Sequence, residues 1–418
     1  MDSMTLSEEL AWRGFLNQTT LPKLSAIDEN KLKFYHGYDA SSDSLTVGNL
    51  AAVMLDKLLM KHGHTGIVLL GGATSVIGDP GGKDAERQLQ SEATVAHNIK
   101  QVAHQLEKLV GSSVSVVNNA DWLGKMSVLH FLRDVGKHFS MTPLVQRDYI
   151  AKRMGEGGAG ISFTEFSYTL LQGYDFLYLH QKHGVNLQVS GADQWGNSLS
   201  GVELIRKVTG AEAHVLTMPL VINKATGKKF GKSEDGAIWL DPAKTSVYQF
   251  YQFWLNTDDE SVADYLKIFT QLDKPQIAHI MTRFEEDKSD RLAQKTLAHE
   301  VTKLVHGPEN AQIIKKVTET LFGNDDYTQL TAKDFQLLSS ELPKVTAKLN
   351  HSPLVDVLVE AGLASSNGEA RRFLNDNAIY INGQQFSSTK SVFDSQDVIY
   401  GHAIIRRGKN QNAVVELS

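Results

Sequence analysis

Thr65-Gly66-Ile67-Val68-Leu69-Leu70 is a short β-rich run, closed by Gly71-Gly72-Ala73-Thr74-Ser75. It is one of several such runs between Lys31 and Val221. Lys33–Tyr38, Ser113–Val117 and Asn186–Val189 are others, and helical patterns such as Leu50–His62 and Thr94–Leu109 lie between them. Strands that alternate with helices of this length predict an α/β fold with a doubly wound parallel sheet. Ligands of such sheets sit at the carboxyl ends of the strands, so the Gly-, Asp- and His-rich turns there are the places to search. From about Asp241 to Leu321 the pattern becomes helical, in SVYQFYQFWLN, SVADYLKIFTQL and RLAQKTLAHEVTKLVHG. A polar stretch containing Pro343 then reads as a linker before a compact C-terminal unit. The expected division is 1–222, 223–335, a linker at 336–350, and 351–418.

The 418 residues are too many for one ordinary core. No apolar run reaches the ~18–20 residues of a membrane helix. The N-terminus MDSMTLSEELAWRGF has early acids and no basic, apolar leader, which predicts a cytoplasmic protein. With no cysteine, disulfides and thiolate metal sites are excluded. A net charge of −6, from 42 Lys+Arg and 48 Asp+Glu, argues against non-specific coating of nucleic acid and against a DNA-binding role. Contact with RNA through local patches stays open.

Three turns carry the chemistry. Tyr35-His36-Gly37-Tyr38-Asp39-Ala40-Ser41 through Thr46-Val47-Gly48-Asn49 leaves a strand and enters a helix whose first amides can receive phosphate. Read alone, the same residues equally suit helix capping. Gly71 to Lys83 invites a phosphate-loop reading, but Ile77 stands where the Walker pattern needs glycine and Asp84 where it needs Ser or Thr. Lys224–Ser233 holds four lysines and two glycines in ten residues, suited to a polyphosphate or, in isolation, to a solvated surface turn. His299-Glu300 begins like a zinc-protease helix, but Lys303 replaces the second histidine, and no metal ligand is assigned.

YHGYDASSDSL, GGATSVIGDPGGK, FLRDVGKHFS, GISFTEFSYTLLQGYDF, SGADQWGN, KKFGKS and YQFWLNTDD occur in this order between Phe34 and His306. Together they resemble class I aminoacyl-tRNA synthetases, specifically the bacterial and mitochondrial tyrosyl enzymes. LVDVLVEAGLASSNGEARRFLNDNAIYING resembles the small RNA-binding module shared with a ribosomal small-subunit protein and some pseudouridine synthases. The resemblance implies a Rossmann-like catalytic domain, a helical anticodon-side domain and a small α+β RNA-binding domain. It implies a homodimer that takes tyrosine, ATP with accompanying magnesium, and tRNA(Tyr). No protein ligand for the magnesium follows from it.

The resemblance also assigns roles. Tyr35 and Asp175 would bind the phenolic OH of tyrosine. Tyr168, Gln172 and Asp79 would hold its ammonium group, with Asn119 and Gln194 nearby. Asp39, Ser41, Thr46, Gly48, Asn49, Gly191 and Asp193 would face ATP. Lys83, Arg87, Lys229 and Lys232 would neutralise the polyphosphate. Arg371, Arg372, Arg406, Arg407 and Lys409 would touch tRNA. No nucleophilic side chain is required, because the tyrosine carboxylate is already ionised near neutral pH.

One departure stands out. The family's His-Ile-Gly-His reads Thr46-Val47-Gly48-Asn49 here. Asn49 keeps an amide donor for a ribose oxygen, while the short Thr46 hydroxyl replaces an imidazole that would reach the γ-phosphate. Ser41 keeps a hydroxyl where the family usually has threonine. The Thr46/Asn49 pair is the one feature favouring an alternative, a catalytically weakened paralogue that binds tRNA or another structured RNA. Tyr35, Asp175 and the C-terminal module disfavour a tryptophanyl enzyme.

Overall fold

The computed structural model describes residues 4–79, 90–111, 113–155, 157–158, 160–224, 227, 230–233, 236–322, 326–386, 390–408 and 411–418. It divides into two compact units, Met1–Lys244 with Leu255–Leu297, and Thr245–Trp254 with Ala298–Ser418.

The first unit is built on a six-stranded sheet of β1 (Gln18–Thr19), β2 (Lys33–Tyr38), β3 (Thr65–Leu70), β4 (Ser115–Asn118), β5 (Leu187–Gly191) and β6 (His214–Met218), in the order β1-β6-β5-β2-β3-β4. All neighbours are parallel except β1, which pairs antiparallel with β6 at the edge. Ile67, Val68, Leu69 and Leu70 are all buried, as in a strand covered on both faces. The chain steps from β2 to β3 and β4 on one side and returns as β5 and β6 on the other. The strand order therefore reverses between β2 and β5, where such sheets open a ligand crevice.

The helix Val47–Lys61 follows β2 and buries Leu50, Val53, Met54 and Leu58 at helical spacing. Helices Phe163–His183 and Trp195–Thr209 flank β5. Ser162 and Glu165 form a capping box at the start of the first, and Gly184 ends it in the left-handed region at φ 69°. These two helices approach closely because Gly201 has no side chain: a Cβ there would lie 2.8 Å from the Phe176 Cβ. The buried Arg13 guanidinium donates to Lys267 O, Thr270 O and Leu272 O, tying the N-terminal helix Leu6–Arg13 to the end of helix Val262–Phe269.

The second unit takes part of the stretch expected as one helical domain, 223–335. Phe250 of helix Val247–Leu255 packs edge-on against His306 at 4.6 Å, so aromatic packing draws it there. The stretch expected as a linker, 336–350, is structured: helix Ala332–Glu341 occupies its first part and β9 (Lys344–Ala347) its second. β9 pairs in parallel with β13 (Gln411–Leu417) and completes the sheet β11-β10-β12-β13-β9, with β10 Ile379–Ile381, β11 Gln384–Gln385 and β12 His402–Arg407. Its alternating burial, with Val345 and Ala347 inward, explains how a polar-looking segment joins a core. One cluster joins Val317, Leu321, Phe335 and Leu338 to Ile404 and Val414, so the C-terminal module and the preceding helices share apolar packing.

Candidate active site

At the crevice, β2 places Tyr35 and the helix Phe163–His183 places Tyr168, Gln172 and Asp175. Asp175 is only 2% exposed. Its Oδ1 accepts from Trp122 Nε1 at 2.7 Å and its Oδ2 from Asn119 Nδ2 at 2.9 Å. Burial pushes its pKa up to about 7, against the lowering pull of those two donors. The Tyr35 hydroxyl is raised well above the ordinary phenol range, first by burial and then by the Asp175 charge. It is buried and has no hydrogen-bond partner among the described residues. A carboxylate and an unsatisfied hydroxyl thus share an apolar recess, with the Tyr35 ring 5.1 Å from that of Phe176. Such a recess lacks one group that can both donate and accept.

The family resemblance puts Asn119 near the ammonium group, and in the structure its side chain hydrogen-bonds Asp175. It donates to Asp175 and to Thr74 Oγ1 at 3.0 Å, and accepts from Ala73 N at 2.8 Å. The cause is its place directly after β4, from which the side chain reaches across the end of β3. Trp122 is a site residue that sequence reasoning missed. The available signal was its position one helical turn beyond Asn119, on Ala120–Leu123.

Gln194 Nε2 donates to Asp79 Oδ2 at 2.7 Å. Gln172 Oε1 is buried without a partner among the described residues. The Tyr168 hydroxyl lies 3.5 Å from Asp39 Oδ1, which Ser75 Oγ also approaches at 3.5 Å. Asp39, expected to face ATP, is thus engaged beside the pocket.

The signature turn and the lysine-loop segment meet in the first unit. Thr46 bridges Trp239, Val47 N donates to Ile238 O at 3.0 Å, and Leu240 N donates to Leu45 O at 2.8 Å. Gly231 adopts φ 93°, and a Cβ on it would sit 3.1 Å from Gly48 N. Only glycine allows both the conformation and that approach. Thr46 and Asn49 form a capping box on the helix that follows. Ser41 is exposed, its carbonyl accepting from Gln90 Nε2 at 2.9 Å. Gly191 ends β5, and Asp193 lies on the short turn Ala192–Gln194 that follows it. Lys232 lies on β7 (Lys232–Ser233), which pairs with β8 (Gly236–Ala237). Lys83, Arg87, Lys229 and Lys409 lie outside the described residues.

In the second unit, Arg406 lies over the Tyr380 ring at 4.5 Å, while Arg407 and Arg372 approach the Phe373 ring at 4.8 and 5.3 Å. Arg371 and Arg372 are exposed. Among the described residues no cluster of three or more His, Asp or Glu side chains could hold a metal ion, and no helix is long and apolar enough to cross a membrane.

Residues 28–323 match the tRNA synthetases class I (W and Y), and residues 334–415 match the tyrosine–tRNA ligase SYY-like C-terminal domain. The first of these defines the class. The chain is 44% identical to the tyrosine–tRNA ligase of Bacillus caldotenax, with 98% of each chain covered. It is 43% identical to that of Streptococcus mutans, over 99% of this chain and all of that one (100%). A C-terminally truncated Aspergillus nidulans mitochondrial tyrosyl-tRNA synthetase superimposes with a TM-score of 0.69 at 31% identity, covering 77% of this chain and 95% of that one. The chain belongs to the bacterial-type tyrosine–tRNA ligase family.

Proposed function

We propose that this chain joins tyrosine to ATP, forming tyrosyl-adenylate and pyrophosphate, and then passes tyrosine to the 3′-terminal adenosine of tRNA(Tyr). The observation that carries the substrate choice is the buried Tyr35 hydroxyl, left without a partner beside the Asp175 carboxylate. A phenolic OH donates to Asp175 and accepts from Tyr35, whereas phenylalanine would leave the buried Tyr35 hydroxyl unsatisfied and Asp175 with only its Asn119 and Trp122 donors. Tyrosyl enzymes are themselves the standing example of such discrimination. Asp79, Gln172 and Tyr168 receive the ammonium group. Asn119 and Trp122 hold Asp175 for the phenol.

The tyrosine carboxylate attacks the α-phosphorus, the bond to the bridging oxygen breaks, and pyrophosphate leaves. Catalysis then rests on alignment and on cations aimed at the leaving group, supplied by Lys83, Arg87, Lys229 and Lys232. Asp39, Ser41, Thr46, Gly48, Asn49, Gly191 and Asp193 line the ATP side of this assignment. Magnesium bound together with ATP would supply further charge neutralisation. Asp39 and Asp79 already have side-chain partners, which suits a metal that arrives with its nucleotide, and no protein ligand is assigned to it.

Arg371, Arg372, Arg406, Arg407 and Lys409 form the RNA-facing set of the C-terminal module. A homodimer is supported by the apolar residues exposed between 128 and 163, among them Leu129 at 80% and Phe163 at 77%. The weakened-paralogue alternative has no support beyond the Thr46/Asn49 substitution. Tyrosine-dependent ATP–pyrophosphate exchange by the purified protein tests the proposal. Exchange with tyrosine and not with phenylalanine or tryptophan is expected, and no exchange with any of the three overturns it.

A further inference from the structure

A chain of side chains, buried at Thr169, Asn197 and Asp79 and half-buried at Gln194, leads from helix Phe163–His183 to Asp79. Thr169 Oγ1 donates to Asn197 Oδ1 at 2.8 Å, Asn197 Nδ2 donates to Gln194 Oε1 at 3.1 Å, and Gln194 Nε2 donates to Asp79 Oδ2 at 2.7 Å. Thr169 is 1% and Asn197 5% exposed. Arg147 adds weaker approaches, its Nη1 lying 3.5 Å from Asn197 Oδ1 and 3.4 Å from Thr169 Oγ1, and its Nη2 donates to Ser200 Oγ at 2.6 Å. The relay exists because the two helices lie close enough, at Gly201, for Thr169 to reach Asn197.

An amide side chain has a donor end and an acceptor end, and the network decides which way each points. Thr169 and the Arg147 guanidinium face the Asn197 oxygen, so the Asn197 NH2 must face Gln194. The Gln194 carbonyl is thereby occupied, and its NH2 must face Asp79. Turning Gln194 over would set NH2 against NH2 at Asn197 and carbonyl against carboxylate at Asp79, two partly buried mismatches at once.

We infer that Asn197 is a specificity-determining positioning residue: through Gln194 it orients the Asp79 carboxylate that receives the substrate ammonium group. Asn197 itself need not touch tyrosine. The inference rests on the proposed ammonium role of Asp79 and Gln172.

The test compares equilibrium binding of L-tyrosine with that of 3-(4-hydroxyphenyl)propanoate, which keeps the phenol and carboxylate but lacks the ammonium. The full chain is measured as wild type, Asn197→Asp and Thr169→Val. In Asn197→Asp an acceptor faces the Gln194 carbonyl, favouring the turned amide. The tyrosine Kd should rise about tenfold or more, the effect of one misplaced buried hydrogen bond, while that of the propanoate changes less than about twofold. An added negative charge by itself would attract the ammonium, so weaker tyrosine binding reports the reoriented amide. Thr169→Val, which adds no charge, should shift tyrosine in the same direction by a few-fold, and it carries the test if Asn197→Asp does not fold. Equal losses for both ligands, or no loss for either, would overturn the inference. Equal affinity of the wild type for the two ligands would instead overturn the ammonium site itself.

Discussion

The Thr46 hydroxyl donates to Asn49 Oδ1 at 2.9 Å, and the Thr46 backbone N–H reaches the same oxygen at 3.0 Å. The two residues that the resemblance sets in the place of the family's imidazoles are therefore bonded to each other. The Thr46 proton is engaged in capping the helix, and the Asn49 carbonyl is turned inward toward it, which leaves the Asn49 NH2 end for a ribose or phosphate oxygen.

From this pairing, Thr46→His should raise the rate of tyrosyl-adenylate formation and leave tyrosine affinity unchanged. A contact that tightens as pyrophosphate departs acts on the transition state and scarcely on bound amino acid. A charge-assisted hydrogen bond of ~1.5–3 kcal/mol corresponds to roughly ten- to a hundredfold in rate. Asn49→His should do less, since the amide already offers donors. Pre-steady-state adenylate formation measures both. A flat or lower rate for Thr46→His would mean that the site has adapted to threonine.

Tyr35→Phe should separate stability from function. Removing a buried hydroxyl that has no partner relieves a desolvation cost of ~1–3 kcal/mol, so thermal stability without substrate should hold or rise. Preference for tyrosine over phenylalanine in pyrophosphate exchange should fall in the same variant. A destabilised variant with unchanged preference would contradict the pocket assignment.

Asp175 predicts a pH dependence. Its folded pKa, about 7, lies above its ordinary value of 3.8, so the native state holds this proton more tightly than the unfolded chain. The associated stability is fully present below the unfolded value and is lost as pH rises through the interval up to the folded one. The advantage of wild type over Asp175→Asn in denaturant unfolding should therefore shrink between about pH 4 and pH 7. Tyrosine binding should change the other way, strengthening as Asp175 ionises and becomes an acceptor for the phenol. Tyrosine binding by Asp175→Asn should lack that rise, and identical profiles for the two proteins would remove Asp175 from the phenol site.

Arg371 and Arg372 are exposed on the short helix Asn367–Asn375 and contribute nothing to the core. Replacing both with alanine should leave pyrophosphate exchange intact and lower tRNA charging, with a shallower dependence of RNA affinity on salt. Removal of 352–418 is the harsher experiment. It would strip Ile404 and Val414 from the cluster around Phe335 and Leu338, and leave β9 without its partner β13. Loss of charging in that truncation should come with loss of folded structure in the second unit, read by circular dichroism.

Local pattern was enough for the alternation of strands and helices, the glycine stops after β3 and the family motifs, because each depends on residues adjacent in the chain. Helix ends and the turn into Val47–Lys61 follow from capping residues in the same way. The boundary at 336–350 was not legible, since β9 is a strand only by pairing with residues about seventy positions later. Asn119 and Trp122 became partners of Asp175 only when β4 and the helix Phe163–His183 were brought side by side. The same holds for Thr169 and Asn197, whose hydrogen bond depends on a glycine contact between two helices. Sequence determined which candidate groups the chain offers to the site, Trp122 apart, because residue type and local spacing carry that. Tertiary structure decided which donor faces which acceptor, because a hydrogen bond depends on distance and direction in space, and separation along the chain specifies neither.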